Sequence, residues 1–280
     1  MQNLAPRPGH APRGECLGFA VDRRRPRPLN ARRNQHVARP PIMKLTKSLC
    51  TLATGALLSL TTFAADEAGF KPLFDGKTLN GWEGRKEHWT VEDGAITGTT
   101  TKENPAKGNN FLIAKDGDKQ KVVGDFELRF SYRFTSDSGN SGVQYRSKDF
   151  GNFVVGGYQA DFEVGTTYSG ILYEEKMTRG IMAQRGEKVV WNKEGKKEVV
   201  GKTEKTSAEI QASIKKGDWN EYVVIAKGNH LQHFINGNQT VDVKDEDEKK
   251  QVMSGILALQ LHAGPPMRIQ FKNIRIKELK

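Results

Sequence analysis

The chain has 280 residues with 44 Lys and Arg against 33 Asp and Glu, a formal net charge of +11. Eleven of the cations fall in residues 1–64 beside only Glu15 and Asp22, so the rest of the chain is close to neutral and lacks the basic field that draws nucleic acid or an anionic membrane. Both cysteines, Cys16 and Cys50, also lie there, which excludes disulfide staples and thiol nucleophiles from everything downstream.

Residues 1–42 are dense in Arg and Pro and show no hydrophobic periodicity, so they read as a disordered extension upstream of the native start. A basic arm for nucleic acid is the other reading of that composition. The following segment argues against it. Met43, the two lysines Lys44 and Lys47, an apolar run from Leu49 to Leu60 and small residues near Ala64 and Ala65 form the zones of a cleaved export signal covering 43–65. Cys50 lies at the start of the apolar run rather than at its end, the wrong place for a lipid anchor. The expected product is a soluble periplasmic or secreted protein with one domain over 66–280.

That domain shows no sustained helical period. Short alternating runs recur at 125–134, 142–146, 158–164, 221–226, 231–235, 256–262 and 267–276, separated by turn residues. Asn236-Gly237 and Asp93-Gly94 carry the chemistry of two-residue hairpin turns. Arg185–Lys216 reads as an exposed hairpin or long loop with a short helix near Ser207–Ile214, and Asp242–Lys250 as a solvated loop. Many short strands in this length predict an all-β, two-sheet antiparallel sandwich.

Alternation sorts the side chains further. Val143 and Tyr145 oppose Gln144 and Arg146; Tyr158, Ala160 and Phe162 oppose Gln159, Asp161 and Glu163; Leu257, Leu259 and Leu261 oppose Ala258, Gln260 and His262. The polar set is rich in amide, guanidinium, carboxylate and imidazole groups, which suit paired hydrogen bonds to a ligand better than plain wetting. A ligand groove is therefore expected on that face, with solvent exposure as the alternative. His262, before Ala263-Gly-Pro-Pro266, closes a strand at a rigid turn; Asp161 and Glu163 share a face and could serve acid–base work or a divalent cation, or simply pair with Arg146 or Arg179. Zinc-ligand spacing, a phosphate-cradling loop and a Gly-x-Ser-x-Gly elbow are all missing from the sequence.

Phe74-Asp-Gly-Lys-Thr-Leu-Asn-Gly-Trp82, Trp89-Thr-Val-Glu-Asp-Gly-Ala-Ile-Thr-Gly98, Gly139-Asn-Ser-Gly-Val143, Tyr158-Gln-Ala-Asp161, Asp218-Trp-Asn220, Phe234-Ile-Asn-Gly237, Gly255-Ile-Leu-Ala-Leu-Gln-Leu-His262 and Phe271-Lys-Asn-Ile-Arg-Ile276, in this order, resemble the 3-keto-disaccharide hydrolase family. The resemblance implies a concanavalin-A-like jelly roll with a concave sugar-binding face, and a hydrolase for 3-keto glycosides that works by deprotonation at C2, elimination and hydration. It suggests His262 or Asp161 as base, Arg146 with Gln144 or Gln260 at the enolate oxygen, and Glu163 or Glu174 assisting the leaving oxygen or holding a divalent cation. Asn140, Gln159 and Arg179 would contact the carbohydrate, and Trp191 would stack on a ring or anchor its own loop. Gln159-Ala-Asp-Phe-Glu163 departs from the Glu-x-Asp-x-x-Glu strand of glucanases on that fold, so direct glycosidase action is not expected. A non-catalytic lectin-like module and a structural domain of the envelope are the competing readings.

Overall fold

The computed structural model describes residues 67–280; the expected extension and export signal lie outside the described residues, as do both cysteines. Two β-sheets face one another across an aromatic core. The first sheet orders β14 (Lys197–Lys202), β13 (Glu187–Trp191), β17 (Asn238–Asp245), β16 (His230–Ile235), β15 (Asn220–Lys227), β8 (Phe126–Phe134), β19 (Met267–Glu278), β4 (Ala95–Thr100) and β3 (Trp89–Glu92), with β1 (Lys71–Pro72) on β19. The second orders β12 (Gly180–Ala183), β11 (Leu172–Glu175), β10 (Val155–Glu163), β9 (Asn140–Asp149), β18 (Gly255–Leu261), β5 (Asn110–Asp116) and β2 (Trp82–Glu83), with β6 (Lys119–Gln120) on β5 and β7 (Val122–Val123) on β18. The all-β sandwich expected from the alternating runs is thus the fold. Among the described strands one neighbouring pair departs from antiparallel order: β13 and β17 run parallel, which the long connection through β14, β15 and β16 permits.

The turns follow their residues. Asp93 and Gly94 have φ of 52° and 72°, and Asn236 and Gly237 have 49° and 79°, the paired left-handed geometry of a tight hairpin. Residues Ser207–Ala212 form the one described helix, α1; Thr206 caps it and Glu209 returns its carboxylate to the Thr206 backbone.

The inner faces meet through rings. Tyr132 of β8 stacks on Phe162 of β10 across the sheets with centroids 4.1 Å apart, and within the first sheet Phe130 stacks on Tyr222 of β15 at 5.2 Å. Buried aromatics of this kind each contribute roughly 1.5–3 kcal/mol through burial, which makes this seam the main cohesive layer. His233 lies inside it, its ring between the hydroxyls of Tyr145 at 2.9 Å and Tyr222 at 3.2 Å. Burial pulls its pKa down to about 3, so it is neutral in the folded protein.

Arg185–Lys216 is the expected hairpin, β13 paired with an exposed β14, followed by the short helix, but its Trp191 is buried; and Asp242–Asp245, expected in a solvated loop, complete β17. Arg179, in the turn between β11 and β12, explains both. Its Nε and Nη2 donate to Glu174 Oε1 at 2.9 and 2.6 Å, and its Nη1 donates to both oxygens of Asp245 at 2.9 Å, reaching from the second sheet to the first. The guanidinium also lies 5.2 Å from the Trp191 ring. The Arg179 and Asp245 side chains are each 1% exposed, so Arg179→Ala would strand two buried carboxylates. We expect a loss of about 3–5 kcal/mol in urea unfolding. Little change would mean that the seam tolerates bare charge.

Candidate functional site

The outward face of the second sheet is covered, not wet. Residues Phe111, Ile113, Val155, Ile256 and Ala258 form a small apolar cluster there with Phe153 packed on it, and Gln144, Gln159 and Gln260 are no more than 1% exposed. Beside the cluster a cavity of about 310 Å³ opens, lined among others by Asn109, Asn140, Asp161, Tyr173, Glu175 and His262. Strand alternation sets this membership. Gln144 faces Gln159 in register, Gly142 faces Asp161, and Gln159 faces Tyr173, so one face of three strands converges. Gly142 is required by space: a Cβ there would stand 2.6 Å from Gln159 Cγ.

A directed relay ends on Asp161. Ser147 Oγ donates to Gln144 Oε1 at 2.7 Å, Gln144 Nε2 to Gln159 Oε1 at 2.6 Å, and Gln159 Nε2 to Asp161 Oδ2 at 2.8 Å. Asn140 Nδ2 donates to the other oxygen, Oδ1, at 2.8 Å. Those two donors favour the carboxylate, but desolvation outweighs them, with Glu163 and Glu175 adding like charge; the Asp161 pKa rises to about 7. Glu175 accepts longer bonds, from Asn109 Nδ2 and Gln260 Nε2, both at 3.3 Å. Gln260 Oε1 is buried with no partner among the described residues. Burial, then the charge of Glu175, lifts Tyr173 above the ordinary phenol range, so its hydroxyl keeps its proton.

His262 follows the end of β18 at the cavity rim. Its Nδ1 contacts the Ala263 carbonyl oxygen, and since a carbonyl can only accept, Nδ1 is the donor in that contact.

The structure gathers Asn140, Gln159, Asp161 and His262 in the cavity and sets Gln144 and Gln260 directly behind it. It places five other expected residues elsewhere. Arg146 has φ 46° at an irregularity where β9 loses register with β10 and β18, so its side chain leaves the polar face. Its guanidinium donates to Asp125 Oδ1 at 2.8 Å and to the Gly124 and Gly228 carbonyls at 2.8 and 2.6 Å. Glu174 and Arg179 form the ion cluster between the sheets, with Trp191 against it. Glu163 Oε1 accepts from the Thr167 and Tyr168 amides at 2.7 and 2.9 Å, which shapes the loop that carries Tyr168 to the cavity.

Asn109, Tyr168, Tyr173 and Glu175 are additions. Glu175 was within reach of the sequence: with apolar Leu172 facing inward, alternation turns Glu174 inward and Glu175 outward. Among the described residues there is no group of three or more His, Cys, Asp or Glu side chains placed to hold a metal ion. No described helix is long and apolar enough to cross a membrane. A larger cavity, about 700 Å³, lies beside Lys71, Asp75 and Lys115; it contains none of the expected site residues, and Lys115 is paired there with Glu83 at 2.7 Å.

Residues 69–277 match the family model described as 3-keto-alpha-glucoside-1,2-lyase-like domain. A "3-keto-disaccharide hydrolase" of Bacteroides thetaiotaomicron is 35% identical over 94 residues, which is 30% of this chain and 29% of that protein. The aligned part is therefore under a third of the curated relative. A crystal structure at 1.70 Å of a candidate glycosyl hydrolase from Parabacteroides distasonis ATCC 8503 superposes with a TM-score of 0.51 at 17% identity, covering 78% of this chain and 97% of that one. A second candidate glycosyl hydrolase from that organism, at 2.00 Å, gives a TM-score of 0.48 at 19% identity over 75% and 99%.

The displaced pKa of Asp161 makes stability depend on pH. Unfolded, the carboxyl titrates near 3.8; folded, near 7. Between these values the folded protein keeps a proton that the unfolded chain has released. Stability from this group is thus fully present below pH 3.8 and is lost as pH rises through 7. Between pH 4 and pH 8, urea unfolding should shift in favour of Asp161→Asn over wild type by on the order of 4 kcal/mol. A difference that stays constant with pH would show a solvated carboxyl.

Proposed function

The chain belongs to the 3-keto-alpha-glucoside-1,2-lyase-like domain family, and from that premise we propose that it is a carbohydrate-active enzyme that cleaves 3-keto glycosides or disaccharides in the Asp161–His262 cavity. In such a sugar the C3 carbonyl acidifies the hydrogen at C2. His262 Nε2 takes that proton, and the C–H electron pair forms the enolate. Tyr173, a neutral hydroxyl, donates to the enolate oxygen. The enolate re-forms the C3 carbonyl and a C1–C2 double bond as the C1–O bond breaks, and Asp161 gives its proton to the departing oxygen. Water then adds its oxygen at C1 while C2 regains a proton, completing hydrolysis without an oxocarbenium ion.

The observation that carries this reading is the pairing of a buried carboxyl, protonated up to about pH 7, with a histidine whose Nδ1 donates to the Ala263 carbonyl. One group is set to give a proton and the other to take one. Glu175, held by Asn109 and Gln260, would receive sugar hydroxyls, and Asn140 would report the state of Asp161 to the substrate. The Arg146 and Arg179 guanidinium groups have no part in the chemistry here; they hold the sheets.

The test is to incubate the purified protein with a 3-keto disaccharide and with its unoxidised parent and follow release of the two halves. We expect cleavage of the keto compound alone. Asp161→Asn and His262→Gln should each lower kcat by about 10²–10⁴ with little change in KM. Because Asp161 must hold its proton, kcat should fall above about pH 7. A rate that rises through that range would exchange the two roles, and saturable binding without cleavage would make the domain a lectin-like module.

A further inference from the structure

The segment 164–171, between β10 and β11, carries Tyr168 and Ile171 to the cavity of Asp161 and His262. Its backbone is bonded from two sides. Glu163 Oε1 accepts from the Thr167 and Tyr168 amides at 2.7 and 2.9 Å. From the turn between β12 and β13, Arg185 Nη1 donates to the Ser169 carbonyl at 2.7 Å and Nη2 to the Thr166 carbonyl at 2.9 Å. Its Nε is held by the carbonyl and hydroxyl of Ser207, which opens α1, both at 3.1 Å. The Gly170 amide donates to the Asp161 carbonyl at 2.8 Å, so the segment is also tied to the residue that supplies the cavity's buried carboxyl.

Arg185 is 9% exposed, and these hydrogen bonds all go to neutral oxygens. Taking a guanidinium out of water onto neutral acceptors is expensive. Joining β10 to β11 does not require it, since the two strands already pair from Gly157 to Ala160. What the anchor fixes is the place of Tyr168, which is 43% exposed at the cavity rim. Among the described residues its ring has no stacking or cationic partner and its hydroxyl no hydrogen bond. A tyrosine on a rigid backbone offers a flat apolar face and a polar tip while ordering only two side-chain torsions, which suits the C–H face of a sugar ring.

The cavity, about 310 Å³, is at the small end of the range for small-molecule sites, so a two-ring sugar seated in it extends past the rim. We propose that Tyr168 is the platform on which the second ring lies, and that Arg185 is the positioning residue that holds this platform in place. The ligand class is a neutral disaccharide, and the platform selects a sugar over a small alcohol as the second half. The proposal rests on the catalytic reading in one respect: the ring on the Asp161 side, where the departing oxygen takes its proton, is then the leaving half.

Maltose and methyl α-D-glucoside differ by the second ring, and the methyls of Ile171 and Ile181, both in the cavity wall, report their binding by NMR without turnover. Tyr168→Ala should weaken maltose about tenfold and methyl α-D-glucoside by less than about twofold, while Tyr168→Phe, which keeps the flat face, should bind both within about twofold of wild type. Arg185→Lys keeps the charge but loses the fork; it should copy the Tyr168→Ala pattern, and the double variant should add nothing further. Tyr168→Ala removes an exposed side chain, so the result does not hinge on the folding of the Arg185 variant. The 3-keto counterparts of the two sugars should show the same split in KM. If neither keto sugar is cleaved while the binding pattern holds, the catalytic reading fails and the platform stands. The proposal is overturned if maltose leaves both methyls unmoved, if Tyr168→Ala weakens the two ligands alike or neither, if Tyr168→Phe loses as much as Tyr168→Ala, or if folded Arg185→Lys binds maltose like wild type.

Discussion

The two sheets are held in one relative setting by a buried arginine. Arg179 draws Glu174 of β11 and Asp245 of β17 onto a single guanidinium, and Tyr158 of β10 adds its hydroxyl to Asp245. Each of these charges would be expensive alone in the interior, and the group is tolerable because the guanidinium donates to Glu174 and to both oxygens of Asp245. The arrangement leaves β11 no choice of face. Once Glu174 is committed inward, Tyr173 and Glu175 must stand on the outward side beside Asp161.

Arg146 does the same work at another point of the seam. Its left-handed backbone turns the side chain toward the carbonyl of Gly228, in the turn between β15 and β16 of the opposite sheet. Two arginines that composition alone would assign to a ligand are instead structural bolts. The cavity is consequently free of guanidinium groups, and its chemistry falls to carboxyl, imidazole, phenol and amide. That change in cast is what makes the protonation of Asp161 matter. Without a cation nearby, desolvation decides its pKa, and the amides of Gln159 and Asn140 orient the group without forcing it to ionise.

The outward face owes its dryness to neighbours that are remote in sequence. The segment carrying Phe153 covers the apolar cluster, and the loop shaped by Glu163 brings Tyr168 and Ile171 over the polar strip. A face of glutamines that would be wet in an isolated sheet becomes a hydrogen-bonded layer with one direction, from Ser147 to Asp161. Directionality of this kind fixes amide orientations and leaves the last acceptor, the carboxyl, as the group with a variable proton.

Much of this was legible in the residues. The period of two, the Asp-Gly and Asn-Gly turns and the apolar positions determined an all-β sandwich, and alternation placed Gln159, Asp161, Gln260 and His262 on one face because a strand has only two sides. Alternation failed at Arg146, since a bulge adds a residue that no local pattern announces. At β11 it holds, turning Glu174 inward with Leu172 and Glu175 outward with Tyr173. What the tertiary structure alone decided was which charged groups meet across the two sheets. Arg179 and Asp245 are 66 residues apart, and their attraction depends on the distance between them in space and on the low dielectric around them, neither of which is written in the order of the chain.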